Sequence, residues 1–136
     1  MKITVETVVH APVEDVWLAW ITPEAIEQWC AASDDWHTTR AVVDLRAGGR
    51  FSSRMEAKDG SMGFDFGGTY ARIVPRALIE YSLDDGRVVR VEFEREGDGV
   101  GVRETFDAET ENPPEQQRQG WQAILDRFAR YVEARR

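Results

Sequence analysis

The chain has 136 residues, of which 42% are hydrophobic, and a formal net charge of −8, a length that fits one domain with a substantial core. The negative charge argues against nucleic acid and anionic membrane surfaces as partners, because both bind basic patches. A single cysteine, Cys30, excludes an internal disulfide, and no apolar run approaches the roughly 20 residues of a membrane span. The first residues lack the apolar segment of a signal peptide, so we expect a cytoplasmic protein with no membrane span.

The first 30 residues predict one strand followed by two short helices. Lys2–Val9 is rich in Val, Ile and Thr, which favours a strand. Val and Trp then recur at helical spacing over residues 13–20 and predict a short helix. Thr22 followed by Pro23 predicts the start of a second short helix that reaches Trp29. Helices this short need a partner surface, so we expect both to pack on a sheet.

The middle of the chain predicts six further strands joined by short turns. Gly-Gly and Asp-Gly pairs recur between runs of strand-forming residues and are typical of hairpin connections. Gly67 and Gly68 lie inside a run and predict a bulge or bend instead. The predicted strands are Thr38–Leu45, Arg50–Ala57, Phe64–Ile73, Ala77–Leu83, Arg87–Arg95 and Val100–Asp107.

The end of the chain predicts one long amphipathic helix. Its start is marked by Asn112 as N-cap and Pro113 at the first helical position. Three arginines, the last of them Arg136, place positive charge near the negative end of the helix dipole. Gly120 lies inside the helix, where glycine is unfavourable, and predicts a close approach of another segment. The apolar stripe consists of Trp121, Ile124, Leu125, Phe128 and Val132.

This order of elements predicts an α+β fold with a single domain over residues 1–136. Seven antiparallel strands form one sheet, with the helices on one side of it. A curved sheet with the long helix packed across its concave face satisfies both apolar surfaces. Such packing leaves room for a cavity between sheet and helix, and we expect the function to lie there.

A family resemblance supports this fold. The chain resembles the START-like, helix-grip superfamily, also called SRPBCC, and within it the C-terminal domain of the heat-shock-protein-90 ATPase activator. The resemblance is carried by VETVVHAPVEDVWLAWITPEAIEQW, DLRAGGRF, GTYARIVPRALIEYSL and FDAETENPPEQQRQGWQAILDRFARYV. It implies a cavity for hydrophobic small molecules, as in lipid carriers, plant ligand-binding proteins and aromatic polyketide cyclases. The eukaryotic co-chaperone has an additional N-terminal domain that contributes much of its chaperone binding. We expect 136 residues to leave no room for such a domain, which disfavours a chaperone partner.

We expect mostly aromatic side chains to line this cavity. Phe64, Phe66 and Tyr70 alternate onto one face of a predicted strand, and Trp121 begins the apolar stripe of the last helix. The alternative is an ordinary core that these aromatic side chains fill themselves. The candidate ligand-binding residues are Trp36, Phe51, Met55, Phe64, Phe66, Tyr70, Tyr81, Phe93, Glu104, Trp121, Leu125 and Phe128.

Glu104 is the most informative polar candidate. It alternates with valine and phenylalanine residues of its strand and therefore shares their face. If that face is the inner one, burial raises the pKa of the carboxyl unless a cation pairs with it, and Arg54 or Arg90 would be the partner. Such a group would orient a ligand hydroxyl or act as a general acid or base. The alternative is a solvated carboxylate on an edge strand or at a bulge.

His37 is the second candidate for acid–base chemistry, because it follows Asp34, Asp35 and Trp36 in one segment. This segment frames the mouth of a pocket in one interpretation and is an ordinary polar turn in the other. It offers too few ligands for a metal site, and we expect neither a metal nor a cofactor. Cys30 is expected to be a small buried apolar side chain.

Three functions remain open, and the first is favoured. In this first hypothesis, the chain binds a small hydrophobic molecule, aromatic molecules included, in the cavity. The first alternative is an acid–base enzyme of the cyclase, dehydratase or hydrolase type that uses Glu104, His37 or one of the two aspartates. The second alternative is a protein-interaction module that contacts a chaperone through its acidic surface. The sequence favours no oligomeric state.

Overall fold

Seven strands and three helices make up residues 1–135, the part of the chain that this computed structural model describes. Arg136, and with it the last part of the predicted helix, lies outside the described residues. The α+β helix-grip fold is confirmed. In chain order the elements are β1 (Lys2–Val9), α1 (Val13–Ile21), α2 (Pro23–Trp29), β2 (Trp36–Val43), β3 (Arg50–Ala57), β4 (Gly63–Val74), β5 (Leu78–Leu83), β6 (Val88–Glu96), β7 (Gly99–Asp107) and α3 (Pro114–Ala134).

The strands form one antiparallel sheet with the order β1-β7-β6-β5-β4-β3-β2, curled into a half-barrel. Six strands follow one another as a meander, and β1 closes the row by pairing with the last of them. Consecutive strands β1 and β2 therefore lie at opposite edges, and α1 and α2 bridge the distance between them. The α3 helix packs against the sheet and against both short helices.

Alternation along the strands separates an apolar inner face from a charged outer face. On β7, Val102, Glu104 and Phe106 are buried, whereas Arg103 between them is exposed and pairs with Glu6 at 3.1 Å. Each large apolar side chain buried in this way contributes roughly 1.5–3 kcal/mol before the entropy of folding is subtracted. The inner face is therefore the surface on which α3 packs.

Aromatic side chains pack closely where α1 and α2 meet the C-terminal half of α3. Phe128 of α3 contacts Trp20 and Trp29 with ring centroids 4.8 Å apart in both pairs. Phe93 of β6 packs edge-on against Trp17 at 5.5 Å and Trp20 at 5.8 Å. Edge-to-face pairs of this kind add about 0.5–1.5 kcal/mol each to the burial energy. We call these five side chains the aromatic core.

The prediction of a bulge at Gly67 and Gly68 is wrong in position. The irregularity in the β4–β5 pairing lies between Tyr70 and Arg72. Gly68 instead approaches the carbonyl oxygen of Ser82 so closely that a Cβ atom would clash with it. Close packing of the two backbones therefore explains the glycine at this position.

The predicted cap of the last helix is also wrong. The α3 helix begins at Pro114, with Pro113 at the N-cap position and no side-chain capping bond. Asn112 belongs to the connector, where its backbone N–H and side-chain amide donate to the carboxylate of Glu109 at 2.7 and 3.0 Å. The expected close approach at Gly120 is absent too, because a Cβ atom there would meet nothing within 4 Å among the described residues.

Candidate functional site

A cavity of about 340 Å³ lies between the concave face of the sheet and α3. This volume falls in the lower part of the range of small-molecule sites. A cavity of about 150 Å³ holds benzene in another protein, so the space here suits a bicyclic aromatic molecule. Its walls are Trp20, Ile26, Trp29, Cys30, Val42, Val43, Phe51, Ser53, Met55, Phe64, Phe66, Tyr70, Ile79, Tyr81, Arg87, Glu104, Glu109, Asn112, Gln117, Trp121 and Ile124.

Aromatic rings form the sheet side of this cavity. Phe51 lies at the centre, with ring centroids 5.1 Å from Tyr70, 4.8 Å from Tyr81 and 6.2 Å from Phe66. These residues meet because neighbouring strands in register place them on the same inner face. The ring faces and edges offer an apolar ligand the arrangements that aromatic pairs prefer.

Trp121 closes the cavity from the helix side. Its indole stacks on Phe106 with a centroid distance of 3.9 Å and an interplanar angle of 10°. The edge of the same indole faces Phe66 at 6.3 Å. Because Phe106 is fully buried in β7, the stack fixes the N-terminal half of α3 on the sheet and fixes the indole as a wall of the cavity.

Cys30 lies at the end of the cavity that α2 forms. Burial raises the pKa of its thiol to about 11, although a hydrogen bond with the Thr38 side chain acts in the opposite direction. The Thr38 hydroxyl also donates to the Cys30 carbonyl oxygen at 2.7 Å. The thiol therefore stays protonated at neutral pH, and it behaves as a small, weakly polar wall of the cavity rather than as a nucleophile.

Glu104 shares the face of Val102 and Phe106, as the strand periodicity predicted, and this face is the inner one. The side chain lines the cavity and only 5% of its surface is exposed, so it is not the solvated carboxylate of the alternative. Burial alone raises the pKa of its carboxyl to about 8. The two arginines considered as partners bind other carboxylates. Arg54 pairs with Glu56 at 3.1 Å, and Arg90 pairs with Glu80 at 2.6 Å. Among the described residues none forms an ion pair with Glu104, so the carboxyl is neutral at pH 7.

The two tyrosines on the cavity wall are also uncharged. Burial, reinforced by the negative charge of Asp44, raises the pKa of Tyr70 to about 12. Burial and the neighbouring Glu104 raise the pKa of Tyr81 well above its ordinary value. Both hydroxyls are therefore able to donate and to accept hydrogen bonds at any physiological pH.

Four polar side chains from two connections and from the first turn of α3 form another part of the wall, which we call the polar rim: Arg87, Glu109, Asn112 and Gln117. Gln117 holds the β7–α3 connector, because its amide nitrogen donates to the Glu109 and Asn112 carbonyl oxygens at 3.1 and 2.7 Å. Its amide oxygen accepts from the Glu109 N–H at 2.9 Å. Arg87 donates to Asp85 at 2.8 Å, so the cation of the rim is paired.

Eight of the twelve proposed ligand-binding residues line the cavity: Phe51, Met55, Phe64, Phe66, Tyr70, Tyr81, Glu104 and Trp121. Trp36 lies beside it and packs against Phe64 at 5.9 Å. Phe93 and Phe128 belong to the aromatic core, and Leu125 is fully buried outside the cavity wall. These three side chains do face the interior, but the packing of α1 and α2 fills the space beside them.

His37 does not line the cavity, and neither do the two aspartates before it. The β2–β3 register places His37 opposite Glu56. Asp34 accepts a hydrogen bond from Arg127 at 2.7 Å, and this bond lowers the pKa of its exposed carboxyl. The segment therefore connects α3 to the α2–β2 loop. Within residues 1–135 no three His, Cys, Asp or Glu side chains lie close enough to hold a metal ion.

Several wall residues were not predicted, although some carried a signal. Ser53 alternates with Phe51 and Met55 and so shares their face, and Gln117 lies one helical turn before Trp121. Arg87 begins the predicted strand Arg87–Arg95 and alternates with Val89 and Val91, so it shares their face. Glu109 and Asn112 carry no periodic signal, because their position depends on how the β7–α3 connection folds back. None of the helices in the described part of the chain has both the length and the apolar character of a membrane span.

The chain matches one family model, described as activator of Hsp90 ATPase homolog 1-like protein, over residues 10–133. No curated protein matches it.

Solved structures similar to this chain include two with about half of their residues identical. An AHSA1-like protein from Aeromonas hydrophila is 53% identical, with a TM-score of 0.93 over 99% of this chain and 94% of that one. Chr148 from Cytophaga hutchinsonii is 51% identical, with a TM-score of 0.85 over 98% and 93%. CV1439 from Chromobacterium violaceum is 26% identical, with a TM-score of 0.87 over 98% of each chain.

Proposed function

This chain belongs to the family of activator of Hsp90 ATPase homolog 1-like proteins, and from that premise we propose that it binds a small, largely apolar and preferably aromatic molecule. The binding site is the cavity between the sheet and α3. The observation that carries the proposal is the combination of its volume, about 340 Å³, with walls made mainly of aromatic rings. Apolar walls with a few polar groups are typical of small-molecule sites.

The packing of the two halves of α3 supports this assignment. The C-terminal half meets the aromatic core, where rings lie 4.8 Å apart and fill the space. The N-terminal half meets the sheet through Trp121 and leaves a cavity beside it. Apolar walls around a cavity lose the dispersion contacts that a filled core would provide. An apolar ligand restores those contacts, which is a source of affinity.

The tryptophan side chains offer a direct test of binding. Trp20, Trp29 and Trp121 line the cavity, whereas Trp17 packs outside it. We expect naphthalene to shift the indole N–H signals of the three cavity tryptophans saturably in two-dimensional NMR spectra, and to leave the Trp17 signal in place. The affinity expected for so small a ligand is a Kd of roughly 10 µM to 1 mM.

Two variants of neighbouring serines provide a matched control. Ser53 of β3 faces the cavity, and Ser52 beside it faces solvent. Ser53→Phe fills part of the cavity and is expected to weaken naphthalene binding at least tenfold, whereas Ser52→Phe leaves it unchanged. Far-UV circular dichroism verifies that both variants are folded. Absence of saturable shifts in the wild type, or equal binding by the two variants, contradicts the proposal.

An acid–base enzyme is the second candidate, and Glu104 is the observation that favours it. A buried carboxyl with a pKa of about 8 is suited to proton transfer near neutral pH. The cavity wall contains no histidine among the described residues, so Glu104 would act with the tyrosine hydroxyls. Mass spectrometry of compounds extracted from the purified protein tests this candidate, because an enzyme would release substrate and product together.

A chaperone-binding role is the third candidate, and the family's description favours it. The net charge of −8 would make such an association sensitive to salt. Pull-down of the ninety-kilodalton heat-shock chaperone at low and high salt tests it. No association at low salt would exclude this candidate, and it would leave the ligand-binding proposal untouched.

A further inference from the structure

Four polar side chains in the cavity wall lack partners within the protein. Ser53, Tyr70 and Tyr81 are each 7% exposed and Glu104 is 5% exposed, so all are more than nine-tenths buried. All four line the cavity. None of their hydroxyl or carboxyl groups takes part in a hydrogen bond with another described side chain or backbone group. Their oxygen atoms are not enclosed by protein atoms and are therefore open to the cavity.

Such a cluster needs a physical explanation. The large majority of buried polar groups in proteins have a hydrogen-bond partner. An occupant without a polar group would cover these oxygens and leave them unpaired, at roughly 1–3 kcal/mol for each group. Leucine or phenylalanine at these positions would form an ordinary apolar wall. Here, instead, β3, β4, β5 and β7 each place one polar group on the wall of the same cavity. Together these groups form a site that is complementary to a polar group on the occupant.

The electrostatics of the cluster define the charge of that group. Glu104 and both tyrosines are neutral at pH 7, since burial raises the pKa of each. The one cation among the described wall residues, Arg87, is bound to Asp85 at 2.8 Å. An anionic ligand group would therefore lose its hydration without gaining a free cation. A cationic group would force Glu104 to ionise, and each buried ion costs several kcal/mol.

We propose that the occupant carries an uncharged oxygen, as a hydroxyl or carbonyl group, which hydrogen-bonds with Glu104 and Tyr81 while its apolar body lies against the aromatic wall. This inference rests on the proposed function and specifies its ligand class. Glu104 lies close enough to Tyr81 to raise the pKa of its hydroxyl. A neutral carboxyl donates and accepts, and a phenol does the same, so the pair is able to bind either kind of oxygen.

The test uses four probes with one ring system: naphthalene, 2-naphthol, 2-naphthoate and 2-naphthylmethylammonium. Titrations at pH 6.5 follow the indole N–H signals. We expect 2-naphthol to bind about tenfold more tightly than naphthalene, which corresponds to about 1.4 kcal/mol. The two charged probes are expected to bind more weakly than naphthalene.

Two substitutions at Glu104 test whether this side chain causes the preference for 2-naphthol over naphthalene. Glu104→Leu removes the carboxyl and should bring 2-naphthol to the affinity of naphthalene, whereas Glu104→Gln keeps a donor and an acceptor and should retain most of the preference. Glu94→Leu, on the exposed side of β6, is the control and should change nothing.

The possible outcomes separate this inference from the proposed function. Equal binding of naphthalene and 2-naphthol by the wild type overturns the inference and leaves the proposed function standing. Tightest binding of the ammonium probe also overturns it, because the site then recognises charge. An unchanged ratio in Glu104→Leu overturns the role of this residue. If no probe binds, the proposed function fails and the inference fails with it.

Discussion

Glu104 makes the stability of the fold depend on pH in an unusual direction. Its carboxyl has a pKa of about 8 in the folded protein and 4.5 as its ordinary value. Between these values the folded state holds a proton that the unfolded state has released. Stability therefore falls as pH rises through this window. Replacing Glu104 by Gln, which has almost the same shape, removes the titration and should remove the fall.

The size of the effect follows from the width of the window. Each pH unit inside it corresponds to about 1.4 kcal/mol in the free energy of unfolding. The full contribution is thus about 5 kcal/mol, present below pH 4.5 and lost by pH 8. Between pH 5.5 and 7.5 the expected loss is about 3 kcal/mol, or about 10 °C in Tm for a chain of this length.

The carboxylates with a lowered pKa act in the opposite direction but at lower pH. Hydrogen bonds to Ser61, Arg87 and Lys2 lower the pKa of Asp59, Asp85 and Asp107, respectively. The stability that these groups contribute is present above their unfolded pKa and is lost as pH falls below it. They are fully ionised above pH 5.5, so they do not affect the slope in the measured range.

Urea denaturation at pH 5.5, 6.5 and 7.5 measures the effect in wild type, Glu104→Gln and the surface control Glu94→Gln. The wild type and the control should lose about 3 kcal/mol over this range, and Glu104→Gln should lose much less. The difference between variants cancels the other titrating groups. Parallel pH profiles for wild type and Glu104→Gln would refute the reasoning, since they would show that Glu104 has the same pKa in both states.

Three further predictions concern packing and reactivity. Gly120→Ala should stabilise the protein by about 1 kcal/mol, because a Cβ atom there meets nothing within 4 Å. Gly68→Ala should destabilise it, because a Cβ atom there would clash with the Ser82 carbonyl oxygen. Equal changes of Tm in the two variants would contradict this difference in packing. Phe128→Ala should cost about 3–5 kcal/mol in urea denaturation, whereas Leu18→Ala, at a half-exposed position, should cost much less. Equal losses in the two variants would show that Phe128 is not part of the packed core. Burial raises the pKa of the Cys30 thiol to about 11. This thiol should therefore react with iodoacetamide at pH 8 about 10²-fold more slowly in the folded protein than in the urea-unfolded protein. Similar rates in the two states would mean that the thiol is exposed.

Sequence periodicity located the cavity wall well, because strands turn alternate residues to the same face. It correctly placed Glu104 on the inner face of β7, and it grouped Phe64 with Phe66. The same reasoning could not separate Trp121 from Phe128, which share one stripe on α3. Periodicity gives the direction of a side chain but not the space opposite it. That space depends on α1 and α2, which fill it beside Phe128 and leave it open beside Trp121.

Glu109 and Asn112 of the polar rim could not be predicted for a different reason. They lie on the β7–α3 connection, and their positions follow from hydrogen bonds that form only in the folded chain. Asparagine is a favoured residue type at helix N-caps, and this preference led to the prediction for Asn112. In the structure the Asn112 N–H donates to the Glu109 carboxylate, and the Asn112 carbonyl oxygen accepts from the Gln117 amide. Capping signals describe local preference, and the closure of the connector by Gln117 overrides that preference here.

The division of α3 into a packed half and a cavity-lining half explains how one helix can serve both stability and binding. Rings in the aromatic core fix the helix axis, and the stack of Trp121 on Phe106 fixes its other end. Trp20, Trp29 and Trp121 line the cavity themselves, whereas Phe128 and Phe106, on which they pack, do not. Substitutions such as Phe128→Ala should then act on stability, and substitutions such as Ser53→Phe should act on affinity. Glu104 belongs to both classes, because the same burial that destabilises the fold above pH 4.5 keeps its carboxyl neutral and available to a ligand.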